Sequence, residues 1–221
     1  MTATVPVSAS TPQDPLVLSY LALRKAVGTI GFALPFVLAF GNMILLKRLV
    51  IESSISSYYY TGMGNVFVGS LCAIGVFLMS TRGYDRKDEI AGRLACAFAI
   101  GVALFPTTPY SDPTSKEKLI GSLHWSFAAL LFLTLAYFCL ALFTKTAPDR
   151  IPTRRKLQRN AVYRICGRTI LASILLIGVL ALPPVELLVQ RFTPNFWLES
   201  IAVVAFGVAW LTKGETILKD Q

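Results

Sequence analysis

The chain has 221 residues, 54% of them hydrophobic and only 15% charged, with a mean hydropathy of +0.61. Ordinary soluble domains carry roughly 25% charged residues, so this balance excludes one and points to an integral membrane protein whose length suits one compact unit. The net charge of +9 and pI of about 9.6 fit basic residues gathered in cytoplasmic loops better than nucleic-acid binding, and no nucleic-acid partner is expected.

Residues 1–13 open the stretch MTATVPVSASTPQDP, which has neither the basic start nor the apolar core of a secretory signal and reads as a disordered tail. In DPLVLSYLALRK (14–25), Asp14 suits an N-cap and Pro15 a first helical turn. Leu16, Leu18, Leu21 and Leu23 predict a short interfacial helix before the first span, with a plain extension of that span as the alternative. Six apolar segments then come near the roughly 20 residues a bilayer requires: 26–46, 63–80, 90–105, 119–143, 166–182 and 196–212. Pro35 is placed to kink the first. The third is short and carries Arg93 near an end, where it can snorkel. Its Ala91, Ala95 and Ala99, with Gly101 nearby, predict a helix-packing face. The expected architecture is all-α, a bundle of six transmembrane helices within 14–213, followed by a cytoplasmic tail at 214–221.

Loop charge predicts the orientation. With the N-terminus inside, five of the 21 Lys and Arg (Lys47, Arg48, Lys116, Lys118 and Arg191) fall on outer loops and sixteen on inner segments. The positive-inside rule then puts both termini in the cytoplasm. Cys72, Cys96, Cys139 and Cys166 each fall in or at the edge of a different apolar run without CxxC or metal-ligand spacing, and are expected as buried free thiols. No metal or other cofactor is expected.

Polar residues concentrate toward the outer ends of the predicted spans. Asn42, Asn65, His124 and Glu199 come from spans one, two, four and six and sit roughly 5–8 Å below the outer surface at 1.5 Å per residue. The first outer loop adds Glu52, Ser53, Ser54, Ser56, Ser57 and Tyr58 to Tyr60, the third adds Thr107, Thr108, Tyr110 and Asp112, and the fifth adds Glu186 after Pro183-Pro184. Polar groups at membrane depth usually face the bundle interior or a wet cavity. This predicts an outward-facing polar pocket with Asn42, Glu52, Tyr58, Asn65, His124 and Glu199 as ligand-binding candidates. The competing reading is an interfacial belt, with Tyr58 to Tyr60, Trp125 and Trp197 as its aromatic residues.

GVALFPTTP (101–109), GSLHWSFAALLF (121–132) and SISSYYYTGMGNVFVGSLCAIGVFL (54–78) resemble an uncharacterised bacterial family of six-span membrane proteins, over about residues 16–146. That resemblance implies a multi-pass protein of the bacterial inner membrane and carries no activity. More distantly, the layout is similar to the membrane hydrolase superfamily of alkaline ceramidases and progestin-adiponectin receptors, which is seven-span and holds zinc with three histidines near an Asp and a Ser. Ser54 or Ser56, Asp112 and His124 are the positions that match, but a chain with one histidine cannot form a three-His site.

Two function classes remain from the sequence. One is binding of a small molecule or lipid headgroup in a sensor, carrier or accessory role. The other is a membrane-embedded hydrolase acting on a lipid of the outer leaflet, with Ser54 or Ser56 as nucleophile, His124 as base and Asp112 or Glu199 orienting it. Membrane lipids are the expected partners. The basic stretch 145–164 also suits acidic lipid headgroups, or serves only to set topology.

Overall fold

The computed structural model describes residues 15–80, 85–146, 152–182 and 190–218. Six long helices organise them: α1 (Pro15–Leu46), α2 (Gly64–Met79), α3 (Arg86–Leu104), α4 (Ser115–Tyr137, extended by a wider π turn at Phe138–Leu142), α5 (Arg154–Leu180) and α6 (Pro194–Lys213). No strand occurs among the described residues. The expected tail at 1–13, Glu186 and the Pro183-Pro184 pair lie outside them.

Each helix packs against its neighbours in sequence, and α6 closes back on α1, so the six form a ring. The α6–α1 seam is tight because it is built on glycine. A Cβ on Gly207 would stand 2.5 Å from the Phe32 backbone nitrogen, and one on Gly28 2.7 Å from that of Leu211. These pairings run antiparallel and set the start of α1 beside the end of α6. The α2–α3 seam uses the small-residue face read from the sequence: Ala91, Ala95 and Ala99 are buried, and Gly75 faces Ala99 and Cys96. Gly101 lies under the Phe127 ring of α4. Large apolar side chains such as Ile44 and Leu175 are 75% and 70% exposed, which suits a lipid-facing exterior.

Local sequence explains where the helices begin. Asp85 caps α3 in a capping box with Asp88, and Thr114 caps α4 in one with Glu117, so orphan amides of each first turn are satisfied. Thr153 Oγ1 accepts the Lys156 amide at 3.1 Å and starts α5 at Arg154. Much of the basic stretch expected as a loop at 145–164 is therefore helix.

Among the described residues four helical segments are long and apolar enough to cross a membrane: Tyr20–Leu46, Ser115–Leu142, Arg154–Leu180 and Pro194–Lys213, with mean hydropathies of 2.0, 2.1, 1.6 and 1.4. The expectation of six is met only in part. Helix α2 is apolar but 16 residues long, about 24 Å against a hydrocarbon core of roughly 30 Å. Helix α3 spends its first turn on Arg86, Lys87, Asp88 and Glu89. The separate interfacial helix expected at 14–25 is not formed. Pro15 to Leu46 is one helix, unbroken at Pro35, because no breaker lies between residue 16 and the span and propagation simply continues.

Candidate functional site

The centre of the ring contains a cavity of about 230 Å³ to which all six helices contribute. Its wall is largely apolar, with Leu71 and Ile74 of α2, Leu131 and Leu135 of α4, Ile174 of α5 and Val203 and Phe206 of α6 among its residues. Its polar groups are few: Ser54 and Ser56 of the α1–α2 loop, Thr107 of the α3–α4 loop, His124 and Glu199. The cavity follows α4 from His124 to Leu135, about 16 Å at 1.5 Å per residue. Below Phe206 the interior is filled by aromatic rings. Trp210 lies 5.1 Å from Phe206, 5.1 Å from Phe138 and 4.6 Å from Phe143 between centroids.

The segment Glu52–Tyr60 shapes the polar end. It folds into the mouth of the bundle, with Ile55, Ser57 and Tyr58 buried and a 3-10 turn over Ser56–Tyr60. Two contacts with α6 hold it there. The Phe196 amide donates to the Ser53 carbonyl at 2.9 Å, and the Ile55 amide donates to Glu199 Oε2 at 2.7 Å. On the other flank, Asn42 Nδ2 donates to Glu52 Oε1 at 3.3 Å.

His124 is fixed by the end of α3. Its Nδ1 lies 2.6 Å from the Phe105 carbonyl oxygen. A carbonyl only accepts, so Nδ1 carries the proton and Nε2 of the neutral ring is the acceptor. Ser54 Oγ is 2.8 Å from Ser57 Oγ, which is itself 3.0 Å from the Tyr110 hydroxyl. These hydroxyls belong to a second cavity of about 470 Å³, lined mainly by Ser, Thr, Tyr and Asn side chains, which shares Ser54, Thr107 and Trp125 with the first. An apolar slot thus opens into a hydroxyl-rich vestibule, and among the described residues neither Lys nor Arg lines either space.

The structure brings Ser54, Ser56, His124 and Glu199 to one cavity. It sets Asn42 and Glu52 beside it, bonded to one another. Tyr58 is fully buried against Phe196, with ring centroids 6.1 Å apart, and its hydroxyl accepts the Glu52 amide at 3.4 Å. Burial holds its phenol above the ordinary value of 10.0. It is a wedge for the loop, not a residue of the aromatic belt. Tyr60, Trp125 and Trp197 are 49%, 44% and 52% exposed and suit such a belt. Asn65 is exposed and lines a separate pocket with Tyr59, Thr61 and Val68. Asp112 is exposed, in left-handed backbone at φ 41°, and lines none of these cavities.

Among the described residues no group of three His, Cys, Asp or Glu is placed to hold a metal ion. Nor, among them, does a hydrogen bond join a serine or a carboxylate to His124: its ring is oriented by a backbone carbonyl, and Glu199 is engaged by the Ile55 amide. The apolar wall was not anticipated from the sequence, because its leucines and isoleucines look like any bundle core. The available signal was small residues on the lining face, Ala128, Ala129 and Gly178, where larger side chains would close the space. No protein-family model, no curated protein and no solved structure matches the chain.

Proposed function

We propose that the protein is a six-span membrane protein that binds a single-chain amphiphile or lipid, with the apolar chain in the central slot and the head in the vestibule. The observation that carries this reading is the polarity gradient of the cavity, apolar over about 16 Å of α4 and polar only at the His124–Glu199 end. The head is neutral or cationic. Among the described residues Glu199 is the one carboxylate lining the space, and an anionic head would meet no balancing cation among them. Hydroxyls of Ser54, Ser56 and Thr107 and the Nε2 acceptor of His124 suit a hydroxyl- or amide-bearing head.

Ring closure supports counting α2 and α3 as spans, since α1 and α4 are joined through them. The charge asymmetry of the loops supports cytoplasmic termini and an outward-facing vestibule. The aromatic floor at Phe206, Trp210, Phe138 and Phe143 argues against a polar path across the membrane, and so against transport through the ring. Hydrolysis by a Ser-His-acid relay is disfavoured because no serine or carboxylate is hydrogen-bonded to His124 among the described residues, and Glu199 is engaged by the Ile55 amide.

Native mass spectrometry of the purified protein tests the reading. Wild type is expected to retain one equivalent of a co-purifying amphiphile, and Ala128→Phe or Val203→Phe, which fill the slot, are expected to lose it. Equal retention by folded wild type and both variants would refute it.

A further inference from the structure

The serine cluster of the α1–α2 loop has a hydrogen-bond polarity that proton counting fixes. Ser57 is buried. Its Oγ lies 3.0 Å from Ser53 Oγ, 2.8 Å from Ser54 Oγ and 3.0 Å from the Tyr110 hydroxyl. Each of these three bonds uses one proton, and the Ser57 hydroxyl owns one. At least two of Ser53, Ser54 and Tyr110 therefore spend their protons on Ser57, which is then saturated, donating once and accepting twice. The Ser57 backbone amide also donates to Ser54 Oγ at 3.0 Å.

Ser53, Ser54 and Tyr110 all line the vestibule. At least two of them thus offer a guest there oxygen lone pairs and no proton. The adjoining end of the slot adds another acceptor, Nε2 of His124. A head that carries only acceptors, such as an ether, an ester or a choline, would set lone pairs against lone pairs and leave them without the water they gave up. A head with several O–H donors would satisfy them. Charge narrows the choice further. Among the described residues no charged side chain lines the vestibule, since Glu199 lines the slot and not this space. The vestibule's 470 Å³ falls within the roughly 300–1,000 Å³ of small-molecule sites. Trp125 and Tyr110 add aromatic surface to its wall.

We propose that the Ser57-centred cluster makes the vestibule selective for an uncharged head rich in hydroxyl donors, so that the amphiphile is a glycolipid with a neutral sugar head. This rests on the amphiphile reading above and specifies the head that reading left open.

The test uses the full chain in phosphatidylcholine nanodiscs, with the slot labelled by dodecanol carrying a diazirine at its chain end. Three unlabelled competitors share the twelve-carbon chain and are compared at equal mole fraction in the bilayer: dodecanol, dodecyl glucoside and the tetra-O-methyl ether of that glucoside. The methyl ether keeps the sugar ring and its oxygens but has no proton to donate. In wild type the glucoside is expected to compete about tenfold better than either of the others, the size of effect that one or two added hydrogen bonds give. Ser57→Ala removes the group on which the neighbouring hydroxyls spend their protons and is expected to narrow the gap between glucoside and methyl ether to about threefold or less. A labelled slot from which the glucoside competes no better than its methyl ether would overturn the sugar head and leave the amphiphile reading standing. An unchanged gap in folded Ser57→Ala would overturn the cluster as its cause. Absence of slot labelling would overturn both readings, and wild type alone decides the matter if Ser57→Ala does not fold.

Discussion

The Glu199 carboxylate of α6 accepts the backbone amide of Ile55, 144 residues earlier in the chain, at 2.7 Å. This bond fastens the Glu52–Tyr60 segment into the mouth of the ring and places Ser54 and Ser56 on the cavity wall. Glu199→Ala leaves the Ile55 amide without that acceptor and is expected to cost about 1–3 kcal/mol. Glu199→Gln keeps an acceptor oxygen and should recover most of the loss. Thermal unfolding in detergent checks the pair, and equal losses in both variants would show that the charge matters more than the bond.

The α1–α6 seam yields a paired prediction. Gly207→Ala drives a Cβ to 2.5 Å from the Phe32 backbone, and such overpacking costs roughly 1–3 kcal/mol. Gly69→Ala meets no atom within 4 Å and should be neutral or stabilising by up to about 1 kcal/mol, the helix-propensity difference. Unfolding midpoints of the two variants should move in opposite directions or differ clearly in size.

His124 donates from Nδ1 to the Phe105 carbonyl, one of the last carbonyls of α3 with no intrahelical partner. His124→Leu keeps the apolar bulk but strands that carbonyl, and a loss of about 1–3 kcal/mol is expected. His124→Asn retains a donor and should lose less. If His124→Leu is as stable as wild type in unfolding experiments, the ring is not a structural strut and its place on the cavity wall must account for it.

At the opposite end, Lys145 donates to Asp85 Oδ2 at 3.1 Å. This contact, with the Asp88 and Lys87 amide contacts, holds the Asp85 carboxyl below its ordinary value of 3.8. A carboxylate with a depressed folded value contributes stability that is present above its unfolded value and lost as pH falls through the folded one. Wild type should therefore lose stability on the acid side of 3.8, and Asp85→Asn should show a shallower loss over that range. Thermal midpoints measured as a function of pH decide it, and parallel curves would contradict the assignment.

The helical skeleton was readable because apolar runs are a local signal. The caps at Asp85 and Thr114 lie ahead of those runs, so α3 and α4 start earlier than the expected spans at 90 and 119. Length was harder. Helix α5 begins at Arg154 and not near Cys166, because three turns of basic helix carry no hydropathy signal. The site was legible in its polar half. Ser54, Ser56, His124 and Glu199 converge, whereas Asn65 faces away and Asp112 sits on an exposed turn. Position along a helix axis can be counted from sequence, but which way a side chain faces depends on how the helices rotate in the ring. A void is equally hidden, since Leu131 reads the same against a neighbour as against empty space.

The most direct test of the central claim is photolabelling of the purified protein with dodecanol carrying a diazirine at its chain end, followed by peptide mapping. Insertion is expected at the deep cavity residues Leu131, Leu135, Val203 and Phe206, competed by unlabelled dodecanol and lost in Ala128→Phe. Labelling confined to lipid-facing positions such as Leu133 and Leu175, 49% and 70% exposed, and unaffected by Ala128→Phe would contradict an amphiphile site inside the ring.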